Sequence, residues 1–542
     1  MQLKSTLFPS VDAALSQMRA KRIVERIWAH DHTVWKPQPD EITNRLGWLH
    51  LPETMPAEVA RLEAFAREIR AAGYTQALLL GMGGSSLAPE LFSKTVGWVA
   101  NPPYLAVLDS TDPGAVLAHA NRLDPAHTLF IVSTKSGGTV ETFSFFKFFY
   151  NWAADALGVE RVGEHFVAIT DPGSGLAATA ETYRFRTTFL NDPNIGGRFS
   201  ALSHFGLVPA ALVGVDLRLL LERAGAMAAE CRKADDNPGL ILGAVLGTLA
   251  QAGRDKVTFA ISPAIASFGD WVEQLIAEST GKEGKGILPV VGEPLGGPGV
   301  YGDDRLFVHL KVADDTTHDA ALQALEAAGH PVVRLALRDP YDLGGQFFLW
   351  EFATAVVGHL LGINPFDQPN VESAKALARR MVAEYKEKGS LPAIESAPLT
   401  AEALDGFLAQ GRPGDYIALQ AYLQPTPETD AGLAALRLCL RDRYRLATTV
   451  GYGPRFLHST GQLHKGDRGN GLFIQFTADD AQDVPIPDEA GAPASSITFG
   501  VLKAAQALGD RQALLDAGRR VIRFHLGSDG VKGLNRLTGN EA

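Results

Sequence analysis

The sequence contains few cysteines and no long apolar run. Its 542 residues include only two cysteines, Cys231 and Cys439, which lie far apart. Two distant thiols exclude a disulfide framework and a cysteine zinc site, and they suit a reducing compartment such as the cytoplasm. No uninterrupted apolar stretch approaches the roughly 20 residues of a transmembrane helix. The first thirty residues alternate polar and apolar positions, unlike a signal peptide. We therefore expect a cytoplasmic protein that does not engage a membrane.

Positive charge is also scarce. Lysine and arginine number 50 against 61 aspartates and glutamates, which gives a formal net charge of −11. This balance argues against nucleic acid as a partner. A small anionic ligand remains compatible with it, because charges more than about 8 Å away are largely screened at physiological salt. A phosphate would respond mainly to the groups next to it.

The apolar pattern predicts an α/β protein. Residues 1–75 have helical spacing, with a clear C-terminal stop at Gly73. Short buried runs then alternate with helical stretches, first as "QALLLG", "YLAVLD", "TLFIVST" and "HFVAIT", and again as "KVTFAIS", "RLFVHLKV" and "PVVRLAL". Such alternation indicates doubly wound, mostly parallel sheets covered on both faces. We expect an N-terminal helical segment (1–75), two such domains (76–210 and 211–390) and a C-terminal α/β lobe (391–542).

Glycine and serine follow the first predicted strand, in "LLLGMGGSSLAPELF" (78–92). Gly83, Gly84 and Ser85 lie where an open parallel sheet binds ligands, outside the carboxyl end of a strand. Glycine lets a ligand approach the backbone closely, and the following helix offers its N-terminus to an anion. A dinucleotide fingerprint would need a third glycine where Ser86 stands, and the P-loop pattern is absent. A tight turn without a ligand is the alternative.

A second strand end carries more hydroxyl groups. In "FIVSTKSGGTVETF", Thr134, Lys135, Ser136 and Thr139 crowd a helix start, which is a suitable cradle for a phosphate dianion. Helix capping with Thr139 at the N-cap is the alternative interpretation. Capping explains one or two of these hydroxyls and leaves the rest of the cluster unexplained.

Together the two motifs resemble the sugar isomerase (SIS) domain, which binds phosphosugars. Three further stretches, "NIGGRFSALSHFGLVPA", "WVEQLIAESTGKEGKGILPVVGEP" and "INPFDQPNVESAKALARR", are similar to the glucose-6-phosphate isomerase family. The five motifs occur in the family's order between about 76 and 380. Outer segments such as "RIWAHDHTVW", "NRLGWL" and "HSTGQLHKGDRGNG" resemble the isomerase half of bifunctional transaldolase/glucose-6-phosphate isomerases. No transaldolase portion is visible.

The resemblance implies a reaction and a set of site residues. The reaction is the interconversion of glucose 6-phosphate and fructose 6-phosphate through a cis-enediol, a step of glycolysis and gluconeogenesis. The implied catalytic residues are Glu278 as the base, Arg198 opposite the developing negative charge, and Lys375 in ring opening. The implied substrate-binding residues are Gly83, Gly84, Ser85, Thr134, Lys135, Ser136, Thr139 and Gln368.

The resemblance also implies a homodimer, a sugar phosphate as the small-molecule partner, and no cofactor. Two histidines, His30 and His32, are too few to indicate a metal site, and we expect none. Two alternatives stay open. The enzyme could also accept mannose 6-phosphate, or the chain could be a phosphosugar-binding regulator without catalysis.

One family feature is missing. The family's ring-opening histidine lies in a G-Q-H sequence after the base, whereas this region reads "GEPLGGPGVYGDDRLF". Asp303, Asp304, His458 and His464 are the candidates to replace it. We favour the two histidines of "HSTGQLHKG", with a structural or surface role as the alternative for each.

Overall fold

The computed structural model describes residues 9–95, 104–393 and 395–538. Its helices are α1 Pro9–Ala20, α2 Ile23–Trp28, α3 Leu51–Thr54, α4 Val59–Ala71, α5 Leu87–Lys94, α6 Pro113–Arg122, α7 Val140–Leu157, α8 Gly175–Thr182, α9 His204–Leu212, α10 Leu217–Glu230, α11 Pro238–Gln251, α12 Phe268–Thr280, α13 Asp319–Ala327, α14 Leu343–Leu361, α15 Glu372–Lys388, α16 Ala401–Leu408, α17 Pro427–Tyr444, α18 Gly461–Gly466, α19 Phe499–Asp516 and α20 Gly530–Leu537. Its strands are β1 Gln76–Gly81, β2 Tyr104–Leu108, β3 Thr128–Ser133, β4 Phe166–Thr170, β5 Thr187–Leu190, β6 Lys256–Ile261, β7 Leu288–Val290, β8 Arg305–Val312, β9 Val332–Leu337, β10 Tyr416–Tyr422, β11 Ala447–Tyr452, β12 Gly471–Thr477, β13 Pro485–Ile486, β14 Ile497–Thr498 and β15 Arg520–His525.

Three parallel sheets organise these elements. Their strand orders are β2-β1-β3-β4-β5, β7-β6-β8-β9 and β11-β10-β12-β15, while β13 and β14 form a small antiparallel pair. Each large sheet therefore begins with the same arrangement, in which its first strand lies between its second and third. The predicted α/β class with mostly parallel sheets is confirmed. Each large sheet falls inside one predicted range, although the domain limits themselves stay a prediction.

The central strands are apolar because helices cover both faces of each sheet. Every residue of β3, for example, is buried, as expected for a strand inside a parallel sheet. The long helix α14 is buried over nearly its whole length, and it packs against α10 and α11. The N-terminal segment packs on the same helix, where the Trp35 indole Nε1 donates to the carbonyl oxygen of Ala355 at 2.7 Å.

The C-terminal lobe, which carries β10–β12 and β15, docks on the loop between β7 and β8. Arg437 of α17 donates from Nη1 to the carbonyl oxygen of Val291 at 2.8 Å, and Arg441 donates from Nη1 to that of Pro294. The Glu293 side chain between these two carbonyls is fully buried. Helix α15 also packs closely on α19 of this lobe. The C-terminal lobe therefore contacts the loop in which the family carries its ring-opening histidine.

The helices of the described residues do not meet the requirements of a membrane span. None of them combines the length and the apolar character that crossing a bilayer needs.

Candidate active site

The glycine turn leaves β1 and contacts a second turn. Gly83 has a φ of 54°, a conformation that favours glycine. A Cβ atom on Gly84 would lie 2.0 Å from the carbonyl oxygen of Gly197. Only glycine allows this approach, which brings the turn against the short 3-10 turn Gly197–Phe199 that carries Arg198. Ser85 is buried at the end of the glycine turn.

The hydroxyl-rich loop joins β3 to α7. The hydroxyl oxygens of Thr134 and Thr139 lie 2.9 Å apart, and the amide of Gly138 donates to Ser136 Oγ at 3.4 Å. Thr139 occupies the N-cap position, but its side chain caps no N–H group of the first helical turn. The helix N-terminus behind the loop therefore keeps its positive dipole available to an anion.

Lys135 belongs to this loop but contacts groups outside it. Its Nζ atom pairs with the Asp171 carboxylate and donates to the carbonyl oxygen of Pro193 at 2.9 Å. The side chain thus fastens the loop to the segments after β4 and β5. The ammonium group already pairs with Asp171 and Pro193. To contact phosphate as predicted, it would have to keep these partners and bind the phosphate as well.

Arg198 is buried and fully engaged, with 3% of its side chain exposed. Its guanidinium donates to Ser279 Oγ at 2.8 Å, Gln368 Oε1 at 2.9 Å, and the carbonyl oxygens of Pro365 at 2.8 Å and Asp367 at 3.0 Å. Burial lowers the pKa of Arg198, while the Glu278 and Asp367 carboxylates act in the opposite direction. An arginine remains cationic under such conditions, so the site contains a fixed positive charge.

Glu278 lies beside that charge, near the C-terminal end of α12. Its Oε1 atom is 3.3 Å from Nη1 of Arg198, and 14% of its side chain is exposed. Its Oε2 atom accepts a hydrogen bond from Gln274 Nε2 at 3.0 Å. The carboxylate is held on both oxygens and still reaches solvent, as a base that must meet a substrate requires.

Gln274 is a site residue that the sequence interpretation missed. It lies one helical turn before Glu278, and its Nε2 atom also donates to the carbonyl oxygen of His458 at 2.7 Å. The sequence could have indicated Gln274, because residues four apart lie on the same face of a helix and Gln274 precedes Glu278 by four. Through Gln274 the Glu278 carboxylate is tied to a segment of the C-terminal lobe.

His458 ends the short turn Arg455–His458 and meets the hydroxyl-rich loop's helix. Its Nε2 atom lies 3.0 Å from Oε1 of Glu141, in the first turn of α7. Gln506 Nε2 donates to the same oxygen at 2.7 Å, and Thr111 Oγ1 donates to Gln506 Oε1 at 2.8 Å. Burial raises the pKa of Glu141, but the interaction with His458 outweighs it and leaves the pKa below its ordinary value. Glu141 is therefore ionised and orients the imidazole.

Two other ring-opening candidates, His464 and Asp304, lie elsewhere. His464 is buried inside the C-terminal lobe among aromatic rings, with Tyr416 and Phe473 as neighbours. Burial lowers its pKa well below the ordinary value, so it stays neutral and packs as part of the core. The Asp304 carboxylate lies 3.5 Å from Lys256 Nζ, at the start of β6, which is the sheet edge opposite to the one that binds ligands.

A cleft of about 360 Å³ brings several of these groups together. Its polar wall includes Ser136, Thr139, Glu141, Lys375, His458 and Gln506. Lys375 is 43% exposed and donates to Glu372 Oε1 at 3.0 Å. Residues of the first domain, of α15 and of the C-terminal lobe thus line one cleft.

Lys282 is a second residue that the interpretation of the sequence missed. It follows Glu278 within "ESTGKE" and is almost completely buried. Its Nζ atom lies 2.7 Å from Asp367 Oδ1, next to Gln368. Burial and the nearby Arg198 charge lower the pKa of Lys282 to about 8. It fixes the loop from which Gln368 contacts Arg198.

The donor groups give no indication of a metal centre. Within the described parts of the chain, no group of three or more histidine, cysteine, aspartate and glutamate side chains could hold a metal ion. Nε2 of His30 lies 2.9 Å from that of His50, and His32 bonds to the carbonyl oxygen of Pro37. His30 and His32 therefore have separate partners.

Comparison with known proteins identifies the same family as the motifs. A family model described as phosphoglucose isomerase matches residues 54–290. A glucose-6-phosphate isomerase of Rubrobacter xylanophilus is 29% identical over 68% of this chain and 94% of its own length. One from Carboxydothermus hydrogenoformans is 30% identical over 61% of this chain and 83% of its own length.

Solved structures have the same fold. A hypothetical protein of Thermus thermophilus has a TM-score of 0.60 and 26% identity, and the match covers 70% of this chain and 99% of that one. A glucose-6-phosphate isomerase of Chlamydia trachomatis has a TM-score of 0.58 and 18% identity, covering 74% and 89% of the two chains. About a third of this chain thus has no counterpart in the shorter relatives. The motif order, the paired Arg198 and Glu278, and these relatives together assign the chain to the glucose-6-phosphate isomerase family.

Proposed function

We propose that this chain interconverts glucose 6-phosphate and fructose 6-phosphate through a cis-enediol. One observation carries the proposal: the Glu278 carboxylate lies 3.3 Å from the buried Arg198 guanidinium, and the turn that carries Arg198 packs against the glycine turn. A base next to a fixed positive charge suits a reaction that removes a proton from carbon and places negative charge on the neighbouring oxygens. Curated relatives that carry the name glucose-6-phosphate isomerase support the same reaction.

The two strand-end turns bind the phosphate in this proposal. Ser85, Thr134, Ser136 and Thr139 supply hydroxyls, and Gly83 and Gly84 let the substrate approach the main chain. The first turn of α7, which the Thr139 side chain does not cap, supports this assignment, because the helix dipole favours a dianion. Lys135 contributes by holding the loop in place through Asp171.

Ring opening is assigned to His458. In this step the C1–O5 bond breaks, the C1 hydroxyl loses a proton and the ring oxygen gains one. An imidazole can accept the first proton on one ring nitrogen and deliver the second from the other. The Glu141 carboxylate at 3.0 Å supports the role, because it orients the ring and stabilises its protonated form. Lys375 lines the same cleft and provides a second positive charge there.

Proton transfer follows on the open chain. Glu278 takes the proton from C2 and returns it to C1, while a second proton passes from the C2 hydroxyl to the C1 oxygen; the intermediate is the cis-enediol and the product is the ketose. In this proposal the fixed charge of Arg198 stabilises the negative charge that develops on the substrate oxygens, and Gln368 Oε1 holds the guanidinium by accepting from Nη1. A phosphosugar-binding regulator has no need for a carboxylate held between an arginine and a glutamine.

The test is a coupled assay of fructose 6-phosphate conversion with an NADP-dependent dehydrogenase. Glu278→Gln should lower the rate by about a hundredfold or more, since a positioned base contributes at least that much. The exposed Glu387→Gln in α15 is the matched control. Turnover that survives Glu278→Gln would overturn the mechanism, and substrate binding without turnover in the unmodified protein would favour a regulator. Mannose 6-phosphate in an NMR assay tests the wider substrate range.

Two finer assignments belong to the same proposal. The homodimer rests on family resemblance, and mass measurement in solution tests it. The likeness to the isomerase half of bifunctional proteins includes "HSTGQLHKGDRGNG", the segment that supplies His458. A pull-down with a separately expressed transaldolase would test whether such a partner binds.

A further inference from the structure

Arg455 lies where the C-terminal lobe meets the first and second domains. Its guanidinium pairs with the Glu90 carboxylate, lies 2.9 Å from Asp109 Oδ2, and lies 3.5 Å from Asp270 Oδ2. Glu90 and Asp109 belong to the first domain, and Asp270 belongs to α12 of the second. Arg455 itself begins the turn Arg455–His458 of the C-terminal lobe. One side chain therefore connects this turn to both other domains.

The three carboxylates sit on the elements that build the active site. Glu90 lies in α5, the helix that follows the glycine turn. Asp109 accepts a hydrogen bond from Ser86 Oγ of that turn at 3.3 Å. Asp270 lies on α12, about two helical turns before Glu278. Arg455 thus fixes its turn relative to the phosphate-binding turn and to the base.

The other end of the same turn is fixed as well. The carbonyl oxygen of His458 accepts from Gln274, and a Cβ atom on Gly83 would lie 2.9 Å from this oxygen. The four residues from 455 to 458 are therefore held at both ends, and the His458 ring projects from the fixed segment toward Glu141. Because only three positions separate Arg455 from His458, a small displacement of Arg455 would also displace the imidazole.

The junction carries more negative than positive charge. Lys94 is a second cation there and lies 2.5 Å from Glu90 Oε1. Burial raises the pKa of Glu90, but Arg455 and Lys94 outweigh it and bring the pKa to about 2. A lysine at 455 would keep the charge yet lose the planar fork that reaches several carboxylates at once.

We propose that Arg455 is a positioning residue for ring opening, and that its ion pairs with Glu90, Asp109 and Asp270 hold His458 over the substrate cleft. The inference rests on the proposed role of His458. It assigns to the C-terminal lobe a catalytic task within its own chain. Misplacing a reacting group by about 1 Å can cost on the order of a hundredfold, so a loosened turn should slow ring opening strongly.

The experiment separates ring opening from the rest of catalysis. Opening and reclosing the ring interconverts the α and β anomers of glucose 6-phosphate, which exchange NMR measures directly. Binding of 5-phosphoarabinonate, an open-chain acid shaped like the enediol, needs no ring opening and reports on the phosphate turns and Arg198. Arg455→Lys is the primary variant because it retains a positive charge at the junction, and Arg455→Gln extends the series.

Arg455→Lys should slow anomerisation by about tenfold, and Arg455→Gln by more, while the inhibitor affinity stays within about twofold. Arg441→Lys is the control, because Arg441 also joins the C-terminal lobe to the second domain without contacting the 455–458 turn. Unchanged anomerisation in Arg455→Lys, or a parallel loss of inhibitor affinity, would overturn the positioning role.

His458→Gln distinguishes failure of this inference from failure of the proposed function. If His458→Gln leaves anomerisation intact, the ring-opening assignment falls and the Arg455 inference falls with it. If His458→Gln abolishes anomerisation while both Arg455 variants retain it, the role of His458 stands and only the inference is wrong.

Discussion

Nε2 of His458 lies 3.0 Å from Oε1 of Glu141, although 317 positions separate the two residues in the chain. The histidine comes from the C-terminal lobe, and the glutamate comes from the helix that follows the hydroxyl-rich loop. The family's G-Q-H histidine is missing from the loop between β7 and β8, and Arg437 and Arg441 bind that loop to the C-terminal lobe. The C-terminal lobe therefore contacts the loop in which the family carries its histidine, and the proposed mechanism assigns ring opening to a histidine of this lobe.

Glu141→Gln should slow ring opening, because an amide neither stabilises the imidazolium nor fixes one ring orientation. We expect the rate of glucose 6-phosphate turnover to fall by about tenfold or more. Anomerisation measured by exchange NMR should fall in parallel, while 5-phosphoarabinonate affinity is retained. Glu387→Gln serves as the control, and an unchanged anomerisation rate in Glu141→Gln would contradict the assignment.

Gly84→Ala should destabilise the protein and weaken substrate binding. Its added Cβ atom would meet the carbonyl oxygen of Gly197 at 2.0 Å, so the two turns must separate. Such overpacking typically costs about 1–3 kcal/mol of unfolding free energy. Denaturant unfolding and KM measure the two effects. Gly197→Ala is the matched control, because nothing lies within 4 Å of its Cβ position, and equal stability losses in both variants would refute the steric explanation.

Arg198→Lys should lower kcat/KM strongly. A lysine supplies three hydrogen-bond donors from one nitrogen, whereas Arg198 holds four acceptors and faces Glu278. Loss of a fixed donor at developing negative charge costs on the order of a hundredfold. Steady-state kinetics with fructose 6-phosphate measures the loss. Arg223→Lys, a partly buried ion-paired arginine outside the site, should leave kcat/KM close to that of the unmodified protein, and equal losses in both would point to general destabilisation.

Glu273 should make the stability depend on pH. Burial, with the nearby Asp270 charge, raises the pKa of Glu273 from about 4.5 to about 8. Between these values the unfolded chain is ionised at this residue and the folded protein is protonated, so stability falls as the pH rises toward 8. Glu273→Gln should reduce the fall in melting temperature between pH 5 and pH 8.5. Burial also raises the pKa of Asp109, to about 6. The melting temperature of Glu273→Gln should therefore still fall with pH, but by less than that of the unmodified protein.

The control for this titration is Glu402→Gln, an exposed residue in α16. It should reproduce the pH dependence of the unmodified protein. A Glu273→Gln variant with the same fall in melting temperature as the unmodified protein would show that Glu273 is not the group responsible.

Specific activity should not depend on protein concentration. Every group assigned above to phosphate binding, ring opening and proton transfer lies in one chain, so dilution of a dimer would leave each site complete. Activity per chain, measured over a thousandfold dilution alongside the mass in solution, tests this expectation. A loss of activity that follows dissociation would mean that a second chain contributes to the site.

Much of the fold and part of the site could be predicted because their signals are local. The strand and helix patterns follow from side-chain periodicity over short windows. Gly83 and Gly84 mark a turn because few other residues tolerate its conformation and its close backbone contact. Glu278 and Arg198 were indicated by two short motifs, and the structure places the two side chains 3.3 Å apart. Gln274 and Lys282 lie within or beside the same motif, but only their contacts reveal what they hold.

The sequence by itself determined the α/β class, the strand-end turns and the residue types of the candidate site, since each depends on neighbours in the chain. Tertiary structure alone decided which histidine approaches Glu141, how Lys135 is engaged, and that Arg455 joins three lobes. Those relationships arise when surfaces hundreds of residues apart dock together, and that docking depends on shape and charge that no local pattern encodes.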